Sequence, residues 1–210
     1  MSHVITALKA QRAARGRVSV YLDGAFAFSL SAIYAVALKV GQEINDAQVR
    51  ALLQADRQER AQERVLRLLA YRPRSVQEVR SRLQRLGVTE DVIQQTVERL
   101  QQCGLLDDRA FSQAWVQSRQ ERSPRSRRAI AWELQRKGVS NEHIAEALKD
   151  VDDYVAALSA ARRYSKRLAV VEPSQRRRRL SAYLARRGFD FAVIEEVIAA
   201  FSADLSSDGT

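Results

Sequence analysis

Apolar residues fall at two periods along this chain, alternating near the N-terminus and recurring every three to four positions beyond it. Val18, Val20 and Leu22, then Asp23-Gly24, then Phe26, Phe28 and Leu30 predict two strands closed by a tight turn, since Asp-Gly between alternating apolar runs marks a β-hairpin. A short apolar helix is expected around Ala32 to Leu38, and Asn45 is placed to cap another from about Asp46. A lone hairpin is marginal in water, so it must pack on these helices. From Asp56 onward the spacing is helical.

In the helical region the same turn sequence occurs three times: Gly87-Val88-Thr89, Gly138-Val139-Ser140 and Gly188-Phe189-Asp190. Glycine suits the left-handed residue that closes a helix, and Thr, Ser or Asp can cap the next one. The three prolines, Pro73, Pro124 and Pro173, precede these glycines by 14, 14 and 15 residues, as expected for the first turn of the helix that each glycine ends. Three repeats of three helices follow. The first helices are expected over Arg57 to Tyr71, Asp108 to Arg122 and Asp153 to Ala169, with Asp56 and Asp107 as caps. The second helices share a stripe: Val79 and Leu83, Ile130 and Leu134, Leu180 and Leu184, with Ser75 and Glu78 forming a capping box in the first copy. The third helices carry Ile93, Val97 and Leu100, then Ile144, Leu148 and Val151, then Ile194, Ile198 and Phe201. The expected fold is all-α, an elongated curved array of three repeats (56–106, 107–151, 152–204) after an N-terminal hairpin and short helices (1–55), with a disordered tail at 205–210.

Composition narrows the function. With 35 Lys and Arg against 25 Asp and Glu, the net charge of +10 points to nucleic acid, an acidic protein surface or anionic lipid. Lipid is the weakest of these, because the longest uncharged run, Ala25 to Leu38, is too short to span a bilayer. The N-terminus lacks the apolar stretch of a secretory signal and the single Cys103 cannot form an internal disulfide, so a cytoplasmic protein is expected. Two histidines and one cysteine without metal-ligand spacing argue against zinc, other cofactors and thiol catalysis, and the expected protein is not an enzyme.

The charge is sorted by helix. Residues 73–87, 124–138 and 173–188 carry a combined +13, whereas 88–103, 139–151 and 189–204 carry −8. The residue two before each glycine is arginine: Arg85, Arg136 and Arg186. At about 100° per residue these lie about 160° around from Leu83, Leu134 and Leu184 and should point outward. They suit phosphates or carboxylates, or else neutralise the helix macrodipole. Trp132 sits beside Arg128 and Arg136, where its indole could stack on a base or pack on a neighbouring helix. The run Arg176 to Arg179 wraps all sides of a helix, so one must face inward or the helix must begin late. The candidate binding residues are Arg85, Arg125, Arg128, Trp132, Arg136, Lys137, Arg177, Arg178 and Arg186.

Cys103-Gly104-Leu105-Leu106-Asp107-Asp108-Arg109-Ala110-Phe111, then Trp115 and Arg119, then Glu133-Leu134-Gln135-Arg136-Lys137-Gly138-Val139, resembles the central motif of the RecX family, bacterial regulators of the RecA recombinase. The resemblance covers about residues 56 to 204, and the third repeat departs most from it. It implies a non-enzymatic, monomeric modulator that lodges in the groove of RecA–DNA filaments and restrains ATP hydrolysis and strand exchange in recombination and the SOS response. A second reading is an autonomous, nonspecific DNA-binding protein, since second and third helices joined by a glycine turn resemble a helix-turn-helix. The net negative charge of the third helices argues against their entry into a groove lined by phosphates.

Overall fold

A computed structural model describes residues 1–12, 16–168 and 170–207. Its elements are β1 (Ser2–Ala10), β2 (Arg17–Leu22), β3 (Ala25–Ser31), α1 (Ala32–Ala35), β4 (Glu43–Asn45), α2 (Asp46–Tyr71), α3 (Val76–Arg85), α4 (Glu90–Gln102), α5 (Asp108–Arg122), α6 (Arg127–Gln135), α7 (Asn141–Leu148), α8 (Asp153–Leu168), α9 (Pro173–Ala185) and α10 (Phe191–Ser207). They form two compact units, Met1–Arg72 with Arg82–Gln102, and Pro73–Ser81 with the chain from Cys103 onward. Ala169, residues 208–210 of the expected tail and the side chain of Phe201 lie outside the described residues.

In the first unit the expected hairpin is the β2–β3 pair of a larger antiparallel sheet ordered β3-β2-β1-β4. Asp23 and Gly24 both adopt left-handed φ, 51° and 87°, as the two central residues of a type I′ turn require. Strand β1 is hard to read in sequence because Val4, Ile5, Thr6, Ala7 and Leu8 put β-forming or apolar residues in both phases of the alternation. A register shift between Val20 and Tyr21 also divides the expected apolar face. Phe26 therefore pairs with Tyr21 and is exposed, whereas Val20, Leu30, Ile5 and Ile44 are buried.

Asn45 caps α2 through a capping box with Gln48. The helix then continues for 26 residues, so Asp56 is not the cap expected at the start of a separate helix. Asp56 is instead buried mid-helix, where it receives the Arg17 guanidinium at 3.1 and 3.2 Å and the Ser31 backbone N–H at 2.6 Å. A buried carboxylate needs such partners, and here they tie the sheet to α2.

The repeat turns follow one design. Gly87, Gly138 and Gly188 have φ of 72°, 75° and 90°. Each donates its N–H to the carbonyl three residues back, and the next residue donates to the carbonyl of Leu83, Leu134 or Leu184, which is a Schellman closure. The paired core positions Val79 and Leu83, Ile130 and Leu134, Leu180 and Leu184 are buried, as are Ile93, Val97, Leu100, Ile144, Leu148, Val151, Ile194 and Ile198. Asp107 caps α5 as expected, and Asp152 accepts the N–H groups of Tyr154 and Val155 at the start of α8.

The prolines depart from the expectation in two of three copies. Pro73 and Pro124 lie outside the helices, two residues ahead of Ser75 and Ser126, whose hydroxyls accept the N–H of Glu78 and Ala129. Gln175 stands at the equivalent place in the third copy, and there Pro173 opens α9 without a side-chain cap. The run of four arginines lies within α9, and Arg176 is the one that turns in, its Nε donating to the Val171 carbonyl at 2.9 Å.

Repeats two and three meet their predecessors in a common way inside the second unit. The Ser75 hydroxyl donates to the Lys137 carbonyl at 2.6 Å, and the Ser126 N–H donates to the Arg187 carbonyl at 3.2 Å. Asp108 accepts the Val76 N–H, and Asp153 the Arg127 N–H, at 2.9 and 2.7 Å. Burial raises the Asp108 carboxyl above its ordinary pKa against the lowering pull of that N–H. A Cβ on Gly138 would overlap the side chain of Gln77, reaching Cγ at 2.7 Å, and one on Gly188 would fall 2.8 Å from the Cβ of Ala129.

Two outcomes are expected. Gly87→Ala should cost about 1–2 kcal/mol from left-handed strain alone, whereas Gly138→Ala should cost clearly more, because Gln77 must also move; urea denaturation of both variants checks the order. His3 bonds to Asp23 at 2.7 Å and to Asp46 at 3.2 Å, and chiefly the Asp23 bond raises its pKa above 6.5. Its stabilising contribution is therefore complete below pH 6.5 and is lost as pH rises through the elevated value. An NMR titration should place the His3 midpoint above 6.5 and show it falling in Asp23→Asn.

Candidate nucleic-acid and protein interface

The Schellman turn fixes the last turn of each second helix, and with it the arginine two residues before the glycine. Arg85, Arg136 and Arg186 are all exposed, each on the outer side of its own helix. Trp132 is exposed too, at 56%, and the Arg136 guanidinium lies 4.6 Å from its ring centroid, one helical turn away. The pair offers an indole and a cation on one outward face of α6, which suits stacking on a base or an apolar protein contact.

The other candidates serve different ends. Arg125 pairs with Glu133 at 3.0 Å. Arg128 reaches Asp190 at 3.5 Å and the Gly188 carbonyl at 3.3 Å, so it spans the joint between repeats two and three while remaining largely exposed. Arg177 pairs with Glu195, and Arg178 is exposed on α9. Lys137 is only 18% exposed, with Nζ 2.8 Å from Glu78 and 4.3 Å from the Trp115 ring centroid. Its charge is engaged in the joint between repeats one and two.

Glu133, unmarked in the sequence beyond its place in the motif, organises this region. It is 12% exposed and receives Trp115 Nε1 at 2.8 Å, Arg119 Nε at 2.7 Å and Arg125 at 3.0 Å. The Arg119 guanidinium also lies 4.5 Å from the Trp115 ring centroid. The corresponding place in repeat three holds Tyr183, stacked on Tyr164 at 4.0 Å and on Arg187 at 4.6 Å.

A further set of cations stands on a first helix and not on a second. Arg57, Arg60 and Arg64 of α2, at intervals of three and four on a single helix face, line a pocket of about 460 Å³ with Leu86, Gly87 and Val88. Counting basic residues by helix obscures them, because α2 also carries acids on its other faces.

The exposed face of the first of the third helices is acidic, which does not suit entry into a groove lined by phosphates. α4 buries Val92, Ile93, Thr96, Val97 and Leu100, and exposes Glu90, Asp91 and Glu98. Among the described residues no group of three or more His, Cys, Asp or Glu could hold a metal ion, and no helix is long and apolar enough to cross a membrane.

Three-helix repeats closed by glycine turns, with cations on the outer sides of their second helices and a small N-terminal sheet, define a tandem helical-repeat protein. The chain belongs to the RecX family. Residues 3–45 match the regulatory protein RecX N-terminal domain, and residues 61–100, 107–148 and 150–198 match the first, second and third RecX three-helix domains. The chain is 40% identical over 148 residues to the regulatory protein RecX of Mycobacterium ulcerans, spanning 69% of this chain and 86% of that one. It is 30% identical over 210 residues to that of Levilactobacillus brevis, spanning 98% and 78%. A crystal structure of a regulatory protein RecX superposes with a TM-score of 0.67 at 25% identity, covering 94% of this chain and 99% of that one. The family is one of regulatory proteins and is not known as an enzyme family.

The exposure of Trp132 has a measurable consequence. Trp132→Ala should change stability by no more than the roughly 0.5 kcal/mol usual for surface changes, and should remove the more quencher-accessible component of the tryptophan fluorescence, leaving the emission of the partly buried Trp115. A large loss of stability would show that the indole packs on another helix in solution.

Proposed function

We propose that this protein is a negative regulator of RecA: it binds the groove of the RecA–DNA filament as a monomer in the cytoplasm and slows ATP hydrolysis and strand exchange in recombination and the SOS response. The observation that carries the reading is family membership along the whole chain, from the N-terminal domain through all three repeats. The exposed Arg85, Arg136, Arg186, Arg178 and the Trp132–Arg136 pair supply cations and an aromatic surface for a polymer that contains both DNA phosphate and protein. Linked repeats also multiply weak contacts, since each engaged repeat raises the effective concentration of the next.

Nonspecific DNA binding is the second reading, and the stacked Trp132–Arg136 pair is the observation that favours it. DNA contacts would be weak and indifferent to sequence, because the exposed residues offer phosphate partners without a base-reading set.

The test is RecA-catalysed ATP hydrolysis on single-stranded DNA with increasing amounts of this protein. Inhibition is expected well below one molecule per nucleotide; its absence at every ratio would leave nonspecific DNA binding as the better reading. In parallel, replacing Arg85, Arg136 and Arg186 with Ala should flatten the plot of log duplex affinity against log salt by roughly three units if all three touch phosphates. An unchanged slope would assign them to protein contacts or helix ends.

A further inference from the structure

The Gly87 turn has the same backbone closure as the Gly138 and Gly188 turns but not their covering. At Gly138 the turn is met by the start of α3, where Ser75 donates to the Lys137 carbonyl and the Glu78 carboxylate lies 2.8 Å from Lys137 Nζ. At Gly188 it is met by the start of α6, through Ser126 and Ala129. A Cβ built on Gly87 meets no atom within 4 Å, and the space against the turn is the pocket of about 460 Å³ lined by Arg57, Arg60 and Arg64.

The side chains at this open face differ from those at the closed one in a directed way. Going back 51 residues, the interval that separates Gly87 from Gly138, replaces Phe111, Trp115 and Lys137 with Arg60, Arg64 and Leu86. The aromatic pair beside the Glu78–Lys137 contact thus becomes a guanidinium pair, and the cation before the glycine becomes a leucine that is 39% exposed. Among the described residues, Arg57, Arg60 and Arg64 have no ion-pair partner, whereas at the closed joints Lys137 pairs with Glu78, Arg128 pairs with Asp190, and Arg187 donates to the Ser123 hydroxyl and the Pro124 carbonyl.

We propose that the Gly87 face is a docking site for the acid-bearing first turn of a helix on a partner protein, which takes the place that Ser75 to Glu78 holds at Gly138. The two covered joints of this chain show the shape of the occupant, the start of a helix laid against a left-handed glycine turn. The arginines specify its charge: carboxylates in the first turn favour the helix and pair with guanidinium groups. A second copy of the chain fits poorly. Among the described residues no glycine turn covers the start of α9, but that start carries Arg176 to Arg179 and would face Arg57, Arg60 and Arg64 with like charge. A nucleic-acid strand would satisfy the arginines and leave Leu86 and the turn backbone without complement.

The inference rests on the proposed RecA filament as the partner and adds the face that meets it and the chemistry of the contact. The test compares the full chain with Arg60→Glu/Arg64→Glu and Arg60→Lys/Arg64→Lys, measuring binding to RecA filaments on single-stranded DNA and, separately, to bare duplex DNA. Matching thermal melts confirm that the variants fold. The Glu variant should weaken filament binding about tenfold or more while the Lys variant keeps most of it, since the contact is between opposite charges. Duplex affinity should change far less than filament affinity in both. Equal losses for filament and duplex would make the pocket a phosphate site and overturn the proposal. Undiminished filament binding by the Glu variant would overturn it in favour of a solvated end cap, which terminal repeats require in any case. If the unaltered chain fails to bind filaments, the regulatory reading itself fails and this inference fails with it, an outcome separated from the others by the unaltered arm alone.

Discussion

At Gly138 the backbone must turn through a φ of 75° while Gln77 of the preceding repeat occupies the space where a side chain would begin. Only a residue without a Cβ meets both demands at low cost. The Schellman closure needs the left-handed glycine, and the Ser75 bond to the Lys137 carbonyl and the Glu78–Lys137 pair accompany the close approach. Gly188 repeats the arrangement against Ser126 and Ala129, with Asp153 in the role of Asp108. The helices bury their stripes within each repeat, but the glycines determine that one repeat can lie against the next.

Charge is distributed around this constraint. Lys137, Arg187 and Glu133 are turned toward the joints and the repeat interior, where each finds a partner of opposite charge, a carbonyl or an aromatic face. Removing one member of such a group leaves the other desolvated and unpaired, so these residues define the packing more than they serve a ligand. Arg136 and Arg186 stand one position before Lys137 and Arg187 in sequence and, like Arg85, are exposed. The same basic segment thus supplies both structural cations and surface cations.

The turns and the core were legible in the sequence because their signals are local. A glycine followed by an apolar residue and a capping residue announces its own geometry, and Leu83, Leu134 and Leu184 lie in register with it. Contacts distant in sequence were not. Asp56 resembles Asp107 in position but lies inside α2, because its partners are Arg17 and Ser31, 39 and 25 residues away. Lys137 reads like its neighbour Arg136 until Glu78, 59 residues away, is brought against it. Pro73 and Pro124 lie within one residue of the spacing of Pro173 but not in its place, since the serines that follow them begin the helices later. Arg57, Arg60 and Arg64 carry no local signal, because their meaning depends on what does not cover Gly87.

The two closed joints share an aspartate that accepts the first N–H of a second helix but use different side chains: Lys137 meets Glu78, whereas Arg187 meets the Ser123 hydroxyl and the Pro124 carbonyl. Each repeat therefore carries an address for its predecessor. If repeats two and three exchanged places, Arg187 would meet Arg72 at the position of Ser123, and Lys137 would meet the arginine run of α9 in place of Glu78. Both joints would then set like charges against each other where the native order sets complementary groups. The order of the modules is written into their joints, and a shuffled chain would keep its helices while losing its sequence of assembly.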